Sequence, residues 1–529
     1  MKRPSVLLLF AAVAAYLAFF YQLGNSAFLG ADEARYARIG EEMNLRGEYI
    51  TPTLNFLPWL EKPPLLFWLE ALSFQLFGVS EWSARLPVAS IALLGVLFAS
   101  GLGSSLGGQR AGVLTFFILC ATGLFFAYAR AASTDMPLAT CFTAAMACGM
   151  QASRRESSLW AAGAGVTLGL ATLAKGPVAL GLFCVVFAIY FLWIGKLKWS
   201  WQQIVIGLLT FLASSLPWYW LVWKQNGYDF VVTFWLNHHL ARFLTSVHHH
   251  SQPFWFYLVV TLIGFFPWVF FLGSSITRLW RNRSTLSQPE LRPELFLWLW
   301  VMVPGVFFSL SESKLPGYIL PLLPGLALLV ALEWDRHLTG DLITYRMMRF
   351  EWPAVAATSL VLILALMVGF HLAYASYMGI VLALPLGVGV FWGLHQFRRR
   401  QPQAAFISLA GGMLLFAGLA YWKILPILDD FHSAREVSLM ARPEISEAEP
   451  LVLYRYFHHT AQYYTGYQTT REAIPDLAAL EKYSSEHPQT RYYVLTQKAG
   501  WADLKSLPGV QQVHHQGNLT LAVLPGVGE

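Results

Sequence analysis

Residues 30–68, GADEARYARIGEEMNLRGEYITPTLNFLPWLEKPPLLFW, form the first polar stretch after an apolar N-terminal run. This stretch holds the densest cluster of charge in the first half of the chain, and it is also rich in aromatic side chains. If the apolar run crosses a bilayer, residues 30–68 belong to the first loop on the far side. Tyr and Trp are enriched at membrane–water interfaces. The stretch therefore predicts a functional site at a membrane surface.

The composition of the whole chain is far more apolar than that of a soluble domain. Of its 529 residues, 56% are hydrophobic and 12% are charged, and its mean hydropathy is +0.49. These values indicate a polytopic membrane protein. The formal net charge of +6 comes from basic residues in short clusters between apolar runs, which is typical of membrane topology and not of a nucleic-acid-binding surface. We therefore expect no nucleic-acid partner.

Apolar runs close to the length that crosses about 30 Å of hydrocarbon recur along the chain. They lie at 4–22, 88–106, 111–128, 137–151, 159–174, 177–195, 203–223, 254–275, 294–310, 318–333, 352–370, 375–395 and 404–423. We therefore expect an all-α membrane domain with about thirteen transmembrane helices.

The loops between these runs predict the orientation of the chain. With the N-terminus in the cytoplasm, alternate loops carry the clustered arginines and lysines, as the positive-inside rule requires. A first loop at about 23–87, a later loop at about 224–253 and the segment after the last span then lie on the outer side. The run at 4–22 also has the basic start of a signal peptide, but residues from 30 onward lie outside in either case.

The composition changes at about residue 426. LVLYRYF and RYYVLTQ predict short strands, REAIPDLAALEKYSSEH predicts a helix, and VQQVHHQGNLTLAVLP predicts a hairpin that turns at Gly517 and Asn518. We therefore expect a transmembrane domain at 1–425 that carries the site, and a small soluble α/β domain at 426–529.

Two carboxylates on the outer side are candidates for catalysis. Asp32 opens a helical pattern that continues to about residue 45, and helical spacing puts Asp32, Arg35 and Tyr36 on one face. Asp135 lies in ARAASTDMP, a polar break between two spans. Each Asp is also suited to cap the helix that it begins, so a purely structural role stays open at both positions.

Three lysines lie beside prolines in outer turns, where Lys and Arg are normally scarce. They are Lys62 in EKPP, Lys175 in KGP and Lys314 in KLPGY. Because two prolines fix the backbone after Lys62, its cation is held at the depth of lipid head groups, and the other two turns place a lysine on the same side as Asp32. The pattern predicts phosphate binding, although Lys62 is also compatible with a snorkelling lysine that pairs with Glu61.

The outer loop at 224–253 carries the histidine-rich segments NHHLARF and VHHH. Arg242 is a candidate for phosphate binding, because a guanidinium matches phosphate oxygens in a fork. His238 or His239 together with Glu61 is a candidate zinc site, since imidazole and carboxylate are common zinc ligands. Histidine clusters in loops also bind metal incidentally, so this second interpretation stays open.

No nucleotide-binding or serine-hydrolase motif supplies an activated substrate. The chain has no P-loop, no GxGxxG and no GxSxG sequence. A membrane enzyme without a nucleotide site must receive its activated substrate in another form. A lipid-linked phosphosugar has the required chemistry.

Five segments, in their order along the chain, resemble the lipid A aminoarabinose transferase family. They are DEARYARIGEEM, GEYITPTLNFLPWLEKPPLLFW, STDMP, LAKGP and KLPGYILP. That family is part of the GT-C glycosyltransferases and is related to the protein O-mannosyltransferases. The resemblance covers most of the chain, and it implies the GT-C fold with periplasmic juxtamembrane helices and a small C-terminal domain. It also implies inverting transfer of a sugar from a polyprenyl (undecaprenyl) phosphate carrier at the periplasmic face of the bacterial inner membrane.

The resemblance implies roles for individual residues as well. Asp32 and Asp135 are the expected catalytic carboxylates, and no cofactor is required for the chemistry. Glu61 with His238 or His239 resembles a structural metal site, for which we expect zinc. The carrier phosphate is expected to contact Arg35, Lys62, Arg242 and Tyr318, with Lys175 and Lys314 as further candidates.

The substrates are the part of this interpretation with most alternatives. We expect aminoarabinose to pass to a lipid A phosphate, but a related transferase acting on a protein or glycan hydroxyl has the same motifs. A lipid-linked sugar transporter is a second class, although transporters place ionisable groups near the bilayer midplane, whereas the candidates here cluster at one surface. A transmembrane scaffold whose C-terminal domain binds a periplasmic partner is a third.

Overall fold

The structure is a computed structural model that describes residues 4–241, 252–282, 288, 292–374, 377–488 and 491–525. The part before residue 433 is built from helices, with one small antiparallel hairpin, Thr53–Leu54 and Leu57–Pro58, in the first loop. The helices that precede the later outer loop are Pro4–Ala15 with Tyr16–Phe20, Ala31–Arg46, Leu65–Phe77, Glu81–Gly107, Gln109–Cys120, Gly123–Ala129, Asp135–Arg155, Ser158–Lys175, Val178–Trp193 and Trp201–Phe230 with Val231–Ala241. Those that follow it are Phe256–Gly264, Trp268–Leu272, Gly273–Arg281, Arg292–Leu310, Pro316–Leu322, Leu323–Leu338, Leu342–Tyr374, Met378–Gly387, Val388–Trp392, Gly393–Arg398 and Pro402–His432.

The helices of the described residues make the chain a multi-pass membrane protein. Seven of them are long and apolar enough to cross a bilayer, and the number is nine if each of two bent pairs forms one span. The pair Phe256–Gly264 and Trp268–Arg281 is bent by 107°, at a break that contains Pro267, which has no amide hydrogen to continue the helix. The expected count of about thirteen spans remains a prediction.

Close helix contacts fix the part of the membrane domain that carries Lys175. A Cβ atom at Gly165 would lie 2.1 Å from the carbonyl oxygen of Gly207, and one at Gly169 would lie 1.9 Å from Oγ of Ser214. Glycines four residues apart on one helix let two backbones approach closely in a membrane. The helix Ser158–Lys175 is therefore held against the helix Trp201–Phe230, and its last residue has a fixed position.

The segment after residue 433 folds around a four-stranded sheet. Its strands are Val452–Tyr454, Arg491–Gln497, Gln511–Gln516 and Leu519–Pro525, and the first pairs in parallel with the second, whereas the other pairings are antiparallel. Leu451 and Leu453 belong to one buried cluster, and Val452 and Tyr454 belong to another. This alternation shows that both faces of the sheet are covered. The covering helices are Arg435–Ala441, His459–Tyr464, Leu477–Glu486 and Lys498–Leu504.

Candidate active site

The first-loop helix, Ala31–Arg46, begins and ends at glycines with positive φ. Gly30 has φ 78° at its N-cap and Gly47 has φ 62° at its C-cap, conformations that glycine adopts without a steric penalty. No side chain caps the start of this described helix, so Asp32 does not act as its N-cap. Asp32 lies in the first turn, where its charge suits the helix dipole, and its carboxylate forms an ion pair with Arg35.

A buried ion pair fixes this helix to the rest of the membrane domain. The guanidinium of Arg85 contacts both carboxylate oxygens of Glu33, at 2.8 and 2.9 Å. The same carboxylate accepts hydrogen bonds from the backbone amides of Leu29, at 3.0 Å, and Ala132, at 2.9 Å. The Glu33–Arg85 pair thus joins the start of the first-loop helix to the segment just before Asp135. Our sequence analysis missed both residues.

Arg35 has hydrogen-bonding capacity beyond its pair with Asp32. Its guanidinium lies over the rings of Trp59, at 5.5 Å, and Tyr36, at 5.6 Å, where the π-systems favour a cation. Among the described residues, its buried Nε atom has no hydrogen-bond partner. A guanidinium held in this way retains donors for an anionic ligand.

Tyr36 is the point where the loops of the site meet. Its ring packs on Trp59, at 6.0 Å, and on Phe67, at 5.7 Å. Burial raises the pKa of Tyr36 well above its ordinary value, and the negative charges of Asp32, Asp135 and Glu61 raise it further, while Arg35 opposes them. The three carboxylates therefore lie within electrostatic reach of one buried phenol.

The second part of the site is the Asp135 cluster, formed by Asp135, Lys175, Gly317 and Tyr318. Asp135 is the first residue of its helix and Lys175 is the last residue of another, and the two side chains form an ion pair. Nζ of Lys175 lies 4.7 Å from the centre of the Tyr318 ring. A Cβ at Gly317 would lie 2.8 Å from Cγ of Asp135. Three separate turns therefore converge on one carboxylate.

The third part contains Glu61, Lys62 and His238. Nζ of Lys62 lies 3.5 Å from the carbonyl oxygen of Glu61, and Nε2 of His238 lies 3.9 Å from Oε2 of Glu61. The side chain of His239 and the whole of Arg242 lie outside the described residues. Within those residues no group of three His, Cys, Asp or Glu side chains is placed to hold a metal ion.

Lys314 differs from the other two lysines that lie beside prolines. Its side chain is buried, and its Nζ donates to the backbone carbonyl oxygens of Gln252, at 3.0 Å, and Ser311, at 2.5 Å. This arrangement ties the segment at Gln252 to the turn at Ser311. It favours a structural role for Lys314 over phosphate binding.

An apolar groove of about 530 Å³ begins next to the Asp135 cluster. It runs between the helices Val178–Trp193 and Arg292–Leu310. Val178, its first lining residue, follows Lys175 by only three positions in the chain. The groove is lined by Val178, Gly181, Leu182, Val185, Met302, Val303, Val306 and Phe307.

Sequence comparison finds similarity to transferases that are named for lipid-linked sugar donors. Residues 61–221 match the family model for dolichyl-phosphate-mannose-protein mannosyltransferase. Over 324 residues the chain is 31% identical to undecaprenyl phosphate-alpha-4-amino-4-deoxy-L-arabinose arabinosyl transferase 2 of Proteus mirabilis. This alignment covers 60% of this chain and 57% of that protein. The corresponding transferase of Erwinia tasmaniensis is 30% identical over 346 residues, covering 63% and 61% of the two chains.

The chain is a relative of the aminoarabinose transferases. The matched part spans about three fifths of the length of these curated relatives. A crystal structure of ArnT from Cupriavidus metallidurans, bound to undecaprenyl phosphate, has 24% identity and a TM-score of 0.82, and the match covers 98% of both chains. The chain therefore has the fold of that enzyme over nearly its whole length.

Proposed function

We propose that this chain is a membrane glycosyltransferase that moves a sugar from a polyprenyl phosphate carrier to an acceptor, with inversion at the anomeric carbon. The proposed donor is undecaprenyl phosphate-linked aminoarabinose, the sugar in the names of the relatives. The proposed acceptor is a lipid A phosphate at the periplasmic face of the inner membrane. The observation that carries the proposal is the convergence of the Asp32–Arg35 and Asp135–Lys175 ion pairs around Tyr36, next to an apolar groove.

The groove has the position and chemistry required for a polyprenyl chain. It is lined by apolar side chains, and one end lies beside the turn that carries Lys175. A carrier whose isoprenoid chain occupies the groove places its phosphate near Lys175 and Tyr318. The ammonium is held there by Asp135 and by the Tyr318 ring. Lys62, Arg35 and the undescribed Arg242 complete the proposed set of phosphate contacts.

The charges of the site suit direct displacement at the anomeric carbon. The acceptor oxygen attacks this carbon as its bond to the carrier phosphate breaks, and the bonding electrons leave with the phosphate. The negative charge that grows on the phosphate is stabilised by fixed cations. Asp32 lies on the acceptor side in this proposal, and inverting chemistry needs no second nucleophilic carboxylate.

The acceptor determines what Asp32 does. A hydroxyl acceptor transfers its proton to Asp32, which then acts as a general base. A phosphate acceptor is already an anion, so Asp32 has no proton to remove, and it instead balances charge and holds Arg35 in place for the carrier phosphate. The hydroxyl alternative, on a protein or glycan, is favoured by the match of residues 61–221 to a protein mannosyltransferase family.

We also propose a structural zinc ion near Glu61, separate from the chemistry. Nε2 of His238 and Oε2 of Glu61 lie 3.9 Å apart, and imidazole and carboxylate are common zinc ligands. A structural zinc site has four ligands, and the described residues supply two at this position. A metal here would fix the turn that carries Lys62, and no step of the transfer depends on it.

The test incubates the purified protein in detergent with donor lipids and measures the polyprenyl phosphate that is released from them. The donors are a panel of undecaprenyl-phosphate sugars, and each is assayed with and without lipid A. We expect acceptor-dependent release from the aminoarabinose donor, with at least a hundredfold loss in Asp32→Asn and in Lys62→Ala. Lys482→Ala is the matched control, because this lysine is exposed on a helix of the C-terminal domain.

The results separate the candidate functions. Release that requires a peptide or glycan in place of lipid A would establish the hydroxyl-acceptor alternative. If the protein binds the carrier tightly but releases no polyprenyl phosphate from any donor with any acceptor, the result would contradict a transferase and favour a transporter.

A further inference from the structure

One short helix of the C-terminal domain, His459–Tyr464, contacts the first-loop region, and we name it the docking helix. Oη of Tyr464 accepts a hydrogen bond from the amide of Phe28, at 2.9 Å, and donates to Oε1 of Glu81, at 3.0 Å. The ring of Tyr463 meets that of Phe28 with its edge, at 4.9 Å. These contacts fix the docking helix against the outer part of the membrane domain.

The same contact continues along the first-loop helix. The guanidinium of Arg38 lies 3.9 Å from the centre of the Tyr467 ring. Tyr464 belongs to one buried cluster with Phe28, Ala34 and Ala37. Arg35 lies one helical turn before Arg38, so both arginines lie on the side of the first-loop helix that meets the C-terminal domain.

His459, the first residue of the docking helix, lies within electrostatic reach of the Asp32–Arg35 pair. Burial lowers the pKa of His459 to about 4, the positive charge of Arg35 lowers it as well, and Asp32 partly opposes this effect. Its imidazole is therefore neutral at physiological pH. Sequence analysis gave no reason to connect this histidine with residues more than 400 positions earlier in the chain.

One ring nitrogen of His459 is already used within the domain. Nδ1 lies 3.2 Å from Oε1 of Gln462, whose side chain is buried. An amide oxygen is an acceptor, so Nδ1 carries the proton and Nε2 carries a lone pair. A neutral imidazole in this tautomer accepts hydrogen bonds at Nε2, and it repels the oxygens of a phosphate anion.

We propose that His459 is a specificity-determining residue that accepts a hydrogen bond, through Nε2, from a hydroxyl of the incoming acceptor. The inference rests on the proposed transferase function and adds a contact to its acceptor side. The candidate carrier contacts Lys175 and Tyr318 come from membrane helices. His459 instead comes from the docking helix of the C-terminal domain, and it lies within electrostatic reach of Asp32, the residue assigned to the attacking oxygen. The C-terminal domain thus selects acceptors that carry a hydrogen-bond donor next to the attacking group.

The neighbouring histidine provides a matched control. The side chain of His458 accepts a hydrogen bond from the amide of Thr460, at 3.3 Å, and so caps the docking helix. Asparagine is a good helix cap, so His458→Asn preserves this role. At position 459, glutamine places its amide where Nε2 lies, whereas asparagine places its amide where Nδ1 lies.

The experiment measures the dissociation constant of lipid A and the kinetic constants of transfer with the full-length protein in detergent. His459→Leu and His459→Asn are expected to weaken lipid A binding, and to raise the acceptor KM, by about 3- to 10-fold, the range for one lost hydrogen bond. The donor KM is expected to stay within twofold. His459→Gln is expected to restore acceptor binding, and His458→Asn to leave it unchanged. Equal melting temperatures confirm that the variants are folded.

Each outcome bears on the inference separately from the proposed function. If the wild type transfers sugar to lipid A while His459→Leu binds lipid A as tightly as the wild type, the inference is overturned and the function stands. If the substitutions at His458 and His459 weaken lipid A binding equally, His459 acts only through the fold, and the inference is again overturned. If the wild type fails to bind lipid A but transfers sugar to a protein or glycan, the proposed acceptor and this inference for lipid A both fail.

Discussion

Removal of Arg85 is expected to destabilise the membrane domain around the first-loop helix by several kcal/mol. Arg85 is 1% exposed and Glu33 is 8% exposed. Besides Glu33, the guanidinium donates to the carbonyl oxygens of Leu23, Ser26 and Ala27, at 3.1, 2.9 and 2.7 Å. In Arg85→Met these three carbonyl oxygens lose the guanidinium as a donor, and the buried carboxylate of Glu33 loses its ion-pair partner. Loss of one member of a buried ion pair costs about 3–5 kcal/mol.

The magnitude is best measured as a double-mutant cycle. Arg85→Met and Glu33→Gln are each expected to be strongly destabilising, and the double variant less so than the sum, because it leaves no unpaired buried charge. The assay is denaturant-induced unfolding in detergent micelles, followed by the fluorescence of tryptophan. Arg435→Met is the matched control, since its pair with Glu81, at 3.5 Å, is more exposed and is expected to contribute about 1 kcal/mol or less.

The cycle also connects stability to the site. Because Glu33 holds the amides of Leu29 and Ala132, its loss is expected to displace both Asp32 and Asp135 and so to lower transfer by Glu33→Gln under conditions where the protein stays folded. Additive effects of the two substitutions, or a cost for Arg85→Met as small as that for Arg435→Met, would refute this account.

Three further substitutions give expected outcomes from the geometry. Gly317→Ala is expected to lower kcat/KM for the donor at least tenfold, because its Cβ would lie 2.8 Å from Cγ of Asp135, whereas Gly305→Ala, with 3.9 Å to its nearest neighbour, is the silent control. Gly181→Leu fills the groove, because a Cβ at this position meets nothing within 4 Å. It is expected to raise the KM of undecaprenyl donors and to leave the KM of donors with short prenyl chains unchanged. Equal effects on both kinds of donor would contradict the carrier assignment. Burial raises the pKa of Glu70 well above its ordinary value of 4.5, and Glu33 adds to the shift, so the folded state retains a proton that the unfolded state releases. Its contribution to stability is full below about pH 4.5 and decreases as the pH rises towards the folded pKa; Glu70→Gln is expected to unfold at a higher temperature than the wild type at about pH 8, and the gap should close at about pH 4.5.

Run lengths and turn residues predicted the local features of this protein. Helices occur where the apolar runs predicted them. The run at 254–275 is bent at Pro267, and the length and apolar composition of the run did not predict this bend. Helical spacing put Asp32 and Arg35 on one face, and the structure pairs them. These features depend on neighbours within a few residues, which is the distance over which sequence patterns are informative.

Long-range pairing could not be predicted in the same way. Lys175 and Lys314 share one pattern, a lysine beside a proline in an outer turn, yet the first pairs with Asp135 and the second with backbone carbonyls. The pattern fixes where the turn lies and leaves open where the side chain points. Glu33 and Arg85 are 52 positions apart. The available signal was that Arg85 stands alone at the start of an apolar run, where an unpaired charge is costly.

The contact between the docking helix and the first loop changes how the C-terminal domain is best studied. Deletion of everything after about residue 430 is the simplest experiment for separating a scaffold from a transferase. The structure shows that this deletion removes Tyr464 from the cluster around Phe28 and takes the hydrogen-bond partner of Glu81 away. It also removes Asp429 from the amide of Ala27 if the cut is placed slightly earlier. Loss of activity after truncation therefore follows from either function, because the first loop and the C-terminal domain share one packed core. His459 is not part of the buried cluster around Phe28, so a substitution at this position leaves that core intact and separates the two functions where a deletion does not.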